Sequence, residues 1–202
     1  MTSLSTVQSY RDKIAIEAAK ILAEGFVQDY HAAKLKAVKQ LGYPDSIDLP
    51  ANTEVESALK SYQAIFEPSD HEKLIAAMRG EALQAMKLFR DYDPRLTGSV
   101  LEGTATRYSP IEIQLFSESP KDMVIKFLDL DIPFDTEDRR IRLSKNDSQS
   151  VPVYSFGKGE FIFELTVLQP NSLRQSPLSP INGLPMERAS IKKLSKMLGV
   201  DL

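Results

Sequence analysis

The chain is 202 residues long, 42% hydrophobic and 26% charged, with a formal net charge of -3. That length holds one large domain or two small ones around a real core, and the near-balance of charge excludes a dedicated nucleic-acid binder, which carries a basic footprint. Cysteine is absent, which excludes disulfides, thiolate metal sites and cysteine nucleophiles and fits a reducing compartment.

No run of about 18 apolar residues is present, so no membrane span is expected. The opening residues lack the charged and apolar regions of a secretory signal, so a cytoplasmic location is expected. The two histidines, His31 and His71, are far apart and too few for a zinc site, which takes three or four ligands.

From about Val7 to Gly42 the apolar spacing is helical. Ile14, Ala18, Ile21 and Leu22 form one stripe, and Gly25 ends or bends that helix. Phe26, Tyr30, Ala33, Ala37 and Leu41 form the stripe of a second, stopped by Gly42 and Pro44. His31, Lys34, Lys36 and Lys39 make its outer face, which reads as solvated. Residues 43–51 are a loop broken by Pro44, Asp45, Ser46 and Pro50.

Asn52 or Thr53 is expected to cap a third helix, with Thr53 to Glu56 as a capping box. That helix would bury Val55, Leu59, Tyr62 and Phe66. A fourth starts near Ser69 or Asp70 and runs to about Tyr92, lined by Leu74, Ala77, Met78, Leu83, Met86 and Phe89. Gly80 interrupts it, at roughly 1 kcal/mol relative to alanine, and suggests close packing. Asp93-Pro94 ends it.

After Pro94 the period changes from helix to strand. In residues 111–116, Ile111, Ile113 and Leu115 face one way and Glu112, Gln114 and Phe116 the other. A helix follows over 120–130, burying Met123, Val124, Phe127 and Leu128. Arg139 to Leu143 reads as an exposed edge strand, and Lys145 to Ser148 as a turn. Val151 to Phe156 reads as another edge strand, because Pro152 cannot donate to a ladder. Gly157-Lys158-Gly159 turns into Phe161–Leu168, apolar enough to predict a central strand covered on both faces. Glu164 stands in its middle, where a carboxylate must be paired, hydrogen-bonded or bound to a metal. A Pro/Ser-rich tail with an Asn182-Gly183 turn leads to a short helix from Ile191 to Leu198, capped by Ser190 and ended by Gly199.

One stretch carries chemistry. Gly98-Ser99-Val100-Leu101-Glu102-Gly103-Thr104-Ala105-Thr106, followed by Ser109-Pro110-Ile111-Glu112-Ile113, resembles the signature of polymerase-beta-type nucleotidyltransferases, closest to the minimal form. The resemblance covers roughly Leu96 to Gln169. It implies a Gly-Ser turn that receives a triphosphate at Gly98 and Ser99, with Gly103 as the second glycine and Ser109 before the acidic pair. It implies Glu112 and Glu164 as catalytic carboxylates that hold Mg²⁺. Pro110 falls where the first aspartate of the pattern stands, so one metal ligand is missing. Arg107, Lys158 or Arg174 would balance a triphosphate. In the alternative reading, Arg139 or Arg142 neutralises the two carboxylates in place of a metal.

The Ser-Pro-Ile-Glu strand and the Leu173 to Pro180 tail also resemble a group of small bacterial proteins, some of which go by the name UDP-N-acetylmuramate–alanine ligase. A ligase of that type needs a Gly-rich loop ending Gly-Lys-Ser or Gly-Lys-Thr to cradle ATP. Gly157-Lys158-Gly159 lacks the framing glycine and the hydroxyl.

The expected fold is α+β: an N-terminal helical bundle over 1–93, a nucleotidyltransferase-like mixed sheet with flanking helices over 94–170, and a tail with a final helix over 171–202. The expected function is that of a degenerate nucleotidyltransferase-fold protein. It would bind NTP with Mg²⁺ and at most transfer a nucleoside monophosphate. The alternative is a non-catalytic module that binds a protein partner through its helices or tail. Whether the chain is an enzyme stays open at this level.

Overall fold

The computed structural model describes residues 4–25, 27–44, 46–66 and 68–200. Among them are seven α-helices and a five-stranded mixed sheet. No helix there is long and apolar enough to cross a membrane. The chain divides into two compact units. One is Met1–Lys73 with Thr106–Tyr108 and Pro180–Asn182; the other is Leu74–Ala105 with Ser109–Ser179 and Gly183–Leu202.

The first unit contains α1 (Leu4–Ala23), α2 (Tyr30–Gln40) and α3 (Asn52–Phe66). Ile14, Ala18, Ile21 and Leu22 of α1 pack with Ala33, Ala37 and Val38 of α2 and with Val55 and Leu59 of α3. Small alanines on α1 and α2 let the helix backbones approach closely. Phe26 and Asp45 lie outside the described residues.

Three expectations fail in this unit. Lys34 is 8% exposed rather than solvated. Its ammonium donates to the Pro50 carbonyl at 3.0 Å and to Asn52 Oδ1 at 2.8 Å, because the loop after α2 folds back and offers oxygens to it. The residue that caps α3 is Ala51 rather than Asn52 or Thr53. The Ala51 N–H donates to Glu54 Oε2 at 2.6 Å, so the acidic half of the box sits two residues earlier than expected. Phe66, finally, is 65% exposed while Gln63 is buried.

The second unit holds most of α4 (Pro68–Leu88), a 3-10 turn (Arg90–Tyr92), β1 (Arg95–Leu96), α5 (Gly98–Glu102), β2 (Ile111–Phe116), α6 (Lys121–Asp129), β3 (Asp135–Arg142), β4 (Ser148–Lys158), β5 (Phe161–Leu168), a second 3-10 turn (Pro170–Leu173) and α7 (Ile191–Leu198). The strand order is β1-β2-β5-β4-β3. β2 runs parallel to β5, and every other neighbouring pair is antiparallel.

The core clusters Ile111, Ile113 and Leu115 of β2, Tyr154 and Phe156 of β4 and Phe163, Leu165 and Val167 of β5 with Met78, Met86 and Phe89 of α4, Val100 of α5, Met123 and Phe127 of α6 and Leu194 of α7. Phe127 is at its aromatic centre, with ring centroids of Phe134, Phe89, Phe156 and Tyr154 at 4.7, 5.6, 5.6 and 5.7 Å.

β4 is not an edge strand, because it pairs with both β3 and β5. Pro152 faces Asp138 of β3, and the ladder to β5 ends at Val153. The missing proline donor therefore costs no β5 bond. β5 is central, but the middle of its second face is only partly covered, while Leu168 at its end is buried with Phe116 and Val151. Ile162 is 54% exposed and Glu164 and Thr166 are half-buried. Leu128 of α6 is 70% exposed rather than buried, and Ala77 is also exposed. A Cβ at Gly80 would meet nothing within 4 Å, so no close packing explains that glycine. The tail is structured: Leu178 bridges Pro185, Ala189 bridges Leu96, and α7 is capped by Ser190 and Gly199.

Phe127→Ala is expected to destabilise the chain by about 3–5 kcal/mol in urea denaturation, because it empties the aromatic centre. Leu128→Ala, one residue on and exposed, should stay within about 0.5 kcal/mol. Equal effects of the two would contradict this orientation of α6.

Candidate functional site

The face of the sheet opposite the helical core carries the acidic residues. Parallel pairing sets Glu112 of β2 directly beside Glu164 of β5, and Ser155 of β4 and Asp135 of β3 continue the row. Partners in register point to the same face. The next row contains Gln114, Thr166, Val153 and Glu137.

The Gly-Ser turn backs onto this row. Gly98 has φ +67, a left-handed conformation that glycine adopts freely. A Cβ built on it would lie 1.6 Å from Glu112 Oε2, so any side chain at 98 would fall on the carboxyl. The turn is fixed by the Thr97 N–H, which donates to the Glu112 carbonyl at 3.0 Å. Gly103, at φ +80, ends α5 in the left-handed region, and the Thr104 N–H returns to the Ser99 carbonyl at 2.9 Å. Arg79 of α4 closes the same C-terminal end of α5 by donating to the carbonyls of Val100 at 3.1 Å and Leu101 at 2.8 Å. No motif in the sequence singles out Arg79.

Arg139 of β3 is the nearest cation. It donates from Nη1 to Glu164 Oε2 at 2.5 Å and from Nη2 to Glu137 Oε1 at 2.6 Å. These bonds, the one to Glu164 first, hold its guanidinium in the charged form. Glu112 lacks such help. Desolvation, reinforced by the neighbouring Glu164 charge and only partly offset by Arg139, pushes its carboxyl up to about 7.

The remaining expected residues are dispersed. Ser109 and Pro110 lie half-buried just before β2. Arg107 is exposed and lies in the Thr106–Tyr108 segment of the first unit. Lys158 is engaged elsewhere, with Glu81 at 2.7 Å and Gln84 at 3.0 Å, and Arg174 is exposed. One cation unforeseen in the sequence, Arg188, reaches Gln114 Oε1 at 2.7 Å and the Ser172 carbonyl at 2.8 Å, with its guanidinium 5.1 Å from the Phe116 ring centroid. Desolvation, then the Arg95 charge, pushes its pKa down to about 10.

Among the described residues, no group of three or more His, Asp or Glu side chains is arranged for a metal ion. The two carboxylates in register on one face, Glu112 and Glu164, are the oxygen ligands that this face offers to a cation, and one oxygen of Glu164 is already bonded to Arg139. Comparison of the chain with protein-family models, curated proteins and solved structures yields no match.

Gly98→Ala should cost more than about 2 kcal/mol, because left-handed strain of roughly 1–2 kcal/mol adds to the collision with Glu112. In a Glu112→Ala background only the backbone strain should remain, and a double-mutant cycle in urea reads the difference. Additive costs would refute the close approach.

The elevated Glu112 pKa also sets a pH dependence. The folded chain holds a proton that the unfolded chain releases above its ordinary carboxyl pKa of 4.5. Stability from this group is therefore complete below about 4.5 and falls as pH rises to about 7, by up to about 3 kcal/mol. Glu112→Gln should flatten that fall in denaturation curves between pH 5 and 8; an unchanged slope assigns it to another group.

Proposed function

We propose that this sheet face is a nucleotide site of nucleotidyltransferase type, in which NTP binds with Mg²⁺. The observation that supports it is the placement of the left-handed Gly98 turn against Glu112, in register with Glu164. Glycine at 98 leaves the carboxyl oxygen clear of any side chain, as a strand carboxylate that meets a phosphate-bound cation requires. Glu112 and Glu164 would hold Mg²⁺, which when bound offsets phosphate charge and polarises phosphoryl oxygens.

The chain's own residues do the rest of the work in this reading. The backbone of Gly98 and Ser99, with Gly103 and Ser109 shaping the loop, receives the phosphates. Arg139 gives up Glu164 and turns to a phosphate group, two of whose oxygens match the guanidinium bidentately. Pro110 supplies no oxygen from its side chain, so the reading favours binding over transfer of a nucleoside monophosphate.

A second reading rests on the Arg139–Glu164 pair itself. That guanidinium supplies the positive charge which a cation would otherwise bring. On this reading the nucleotide site is a relic in a non-catalytic module that binds a protein partner.

Thermal melting separates the two. NTP with Mg²⁺ should raise the melting temperature in a concentration-dependent way, since a ligand of the native state stabilises it. Glu164→Gln and Glu112→Gln should each abolish the rise relative to their own ligand-free melts. No shift with any of the four NTPs, with or without Mg²⁺, leaves the second reading.

A further inference from the structure

The free edge of the sheet is β3, Asp135–Arg142, whose only strand neighbour among the described residues is β4. The outward direction along it is fixed by two bonds. The Leu143 N–H donates to the Asp147 carbonyl across the hairpin at 2.9 Å, while the Arg142 carbonyl accepts from the Leu178 N–H at 2.7 Å. Arg142 therefore presents its backbone away from β4. By the two-residue period of a strand, so do Arg140, Asp138 and Thr136. Leu178 caps only the Arg142 end. Among the described residues, no backbone group outside the strand ladder bonds to Thr136, Asp138 or Arg140.

The charges on this edge are ordered. Acidic residues occupy its first half, Asp135, Glu137 and Asp138, and basic residues its second, Arg139, Arg140 and Arg142. Asp138 and Arg140 are both exposed and share the outward-bonding positions. Neither is in an ion pair among the described residues. Charged edge strands usually prevent sheet-to-sheet pairing. A strand whose sign reverses at its midpoint prevents it in parallel register, where like meets like, and permits it in antiparallel register.

We propose that a second copy of this chain pairs with β3, antiparallel about a two-fold axis at Arg139, so that one sheet runs through both copies. Asp138 then lies opposite Arg140 of the other copy in a hydrogen-bonded pair, and the symmetry makes that contact twice. The two Arg139 residues meet at the axis with their charges already engaged. Each side chain is drawn inward across its own sheet to Glu164 and bonds along its own strand to Glu137. The interface is short and polar, so the dimer is weak and sensitive to salt.

The test uses the full chain in sedimentation equilibrium from about 10 μM to 1 mM at low salt. A monomer–dimer equilibrium is expected, weakened more than tenfold at 0.5 M NaCl. Asp138→Lys and Arg140→Glu should each be monomeric alone, because each creates like-charge pairs across the axis. Mixed in equal amounts, they should form a heterodimer. The introduced lysine of one copy then faces the introduced glutamate of the other, and the retained Arg140 faces the retained Asp138. Both positions are exposed, and unchanged melting of the variants checks that they fold. A wild-type chain that stays monomeric to 1 mM overturns the proposal. So does a dimer that survives either reversal, or a mixture that fails to associate.

Discussion

The parallel pairing of β2 with β5 is the constraint on which the second unit depends. It joins segments about fifty residues apart in the chain, and it cannot be made by a tight turn. The connection passes through α6 and the β3–β4 hairpin. It therefore carries Phe127 into the core and Arg139 to the opposite face. A slip of one residue in this register would turn Glu164 into the core and Leu165 out of it. The buried alternation Phe163, Leu165, Val167 against Ile111, Ile113, Leu115 opposes that slip with the full weight of the apolar core.

That register also determines the electrostatics. Two carboxylates side by side at the surface of a sheet repel, and the two respond differently. Glu164 takes a guanidinium. Glu112, wedged against the Gly98 turn, is left to hold its proton up to about 7. The asymmetry comes from β3, which is long enough to bring Arg139 across β4 but reaches only one of the two. One face of the sheet thus sets an ion-paired carboxylate and a reluctant acid side by side in a single row.

Much of this was legible in the sequence, for identifiable reasons. Period-two alternation in β2 and period-3.6 stripes in α1 and α4 follow from burial of one face, which composition records. The turn, short helix and acidic strand from Gly98 to Glu112 were legible because glycine marks backbone conformations that other residues avoid. What was not legible depends on partners distant in the chain. Lys34 reads as a surface charge until the loop at Pro50 and Asn52 covers it. Pro152 reads as an edge marker until the β5 ladder is seen to stop one residue short of it. Arg79 and Arg188 carry no local signature at all, since each is defined by the carbonyls it reaches. The second face of β5 looked apolar because Ile162 and Leu168 flank Glu164 and Thr166, and hydrophobic content alone does not say which side is wet.

The tail has a consequence for the sheet as a material. At β1 the strand is two residues long, and Leu96 exchanges both its backbone groups with Ala189 of the returning tail. That rim is therefore sealed by the chain itself. A sheet with two open rims is a monomer unit for a fibre, since each addition leaves a fresh rim for the next. A sheet with one open rim terminates: a single encounter consumes the only template, and growth stops at a closed pair. With β3 paired to a second copy as proposed, the Pro/Ser-rich segment, which has no strand propensity of its own, would act as a chain stopper through its bridge at Ala189.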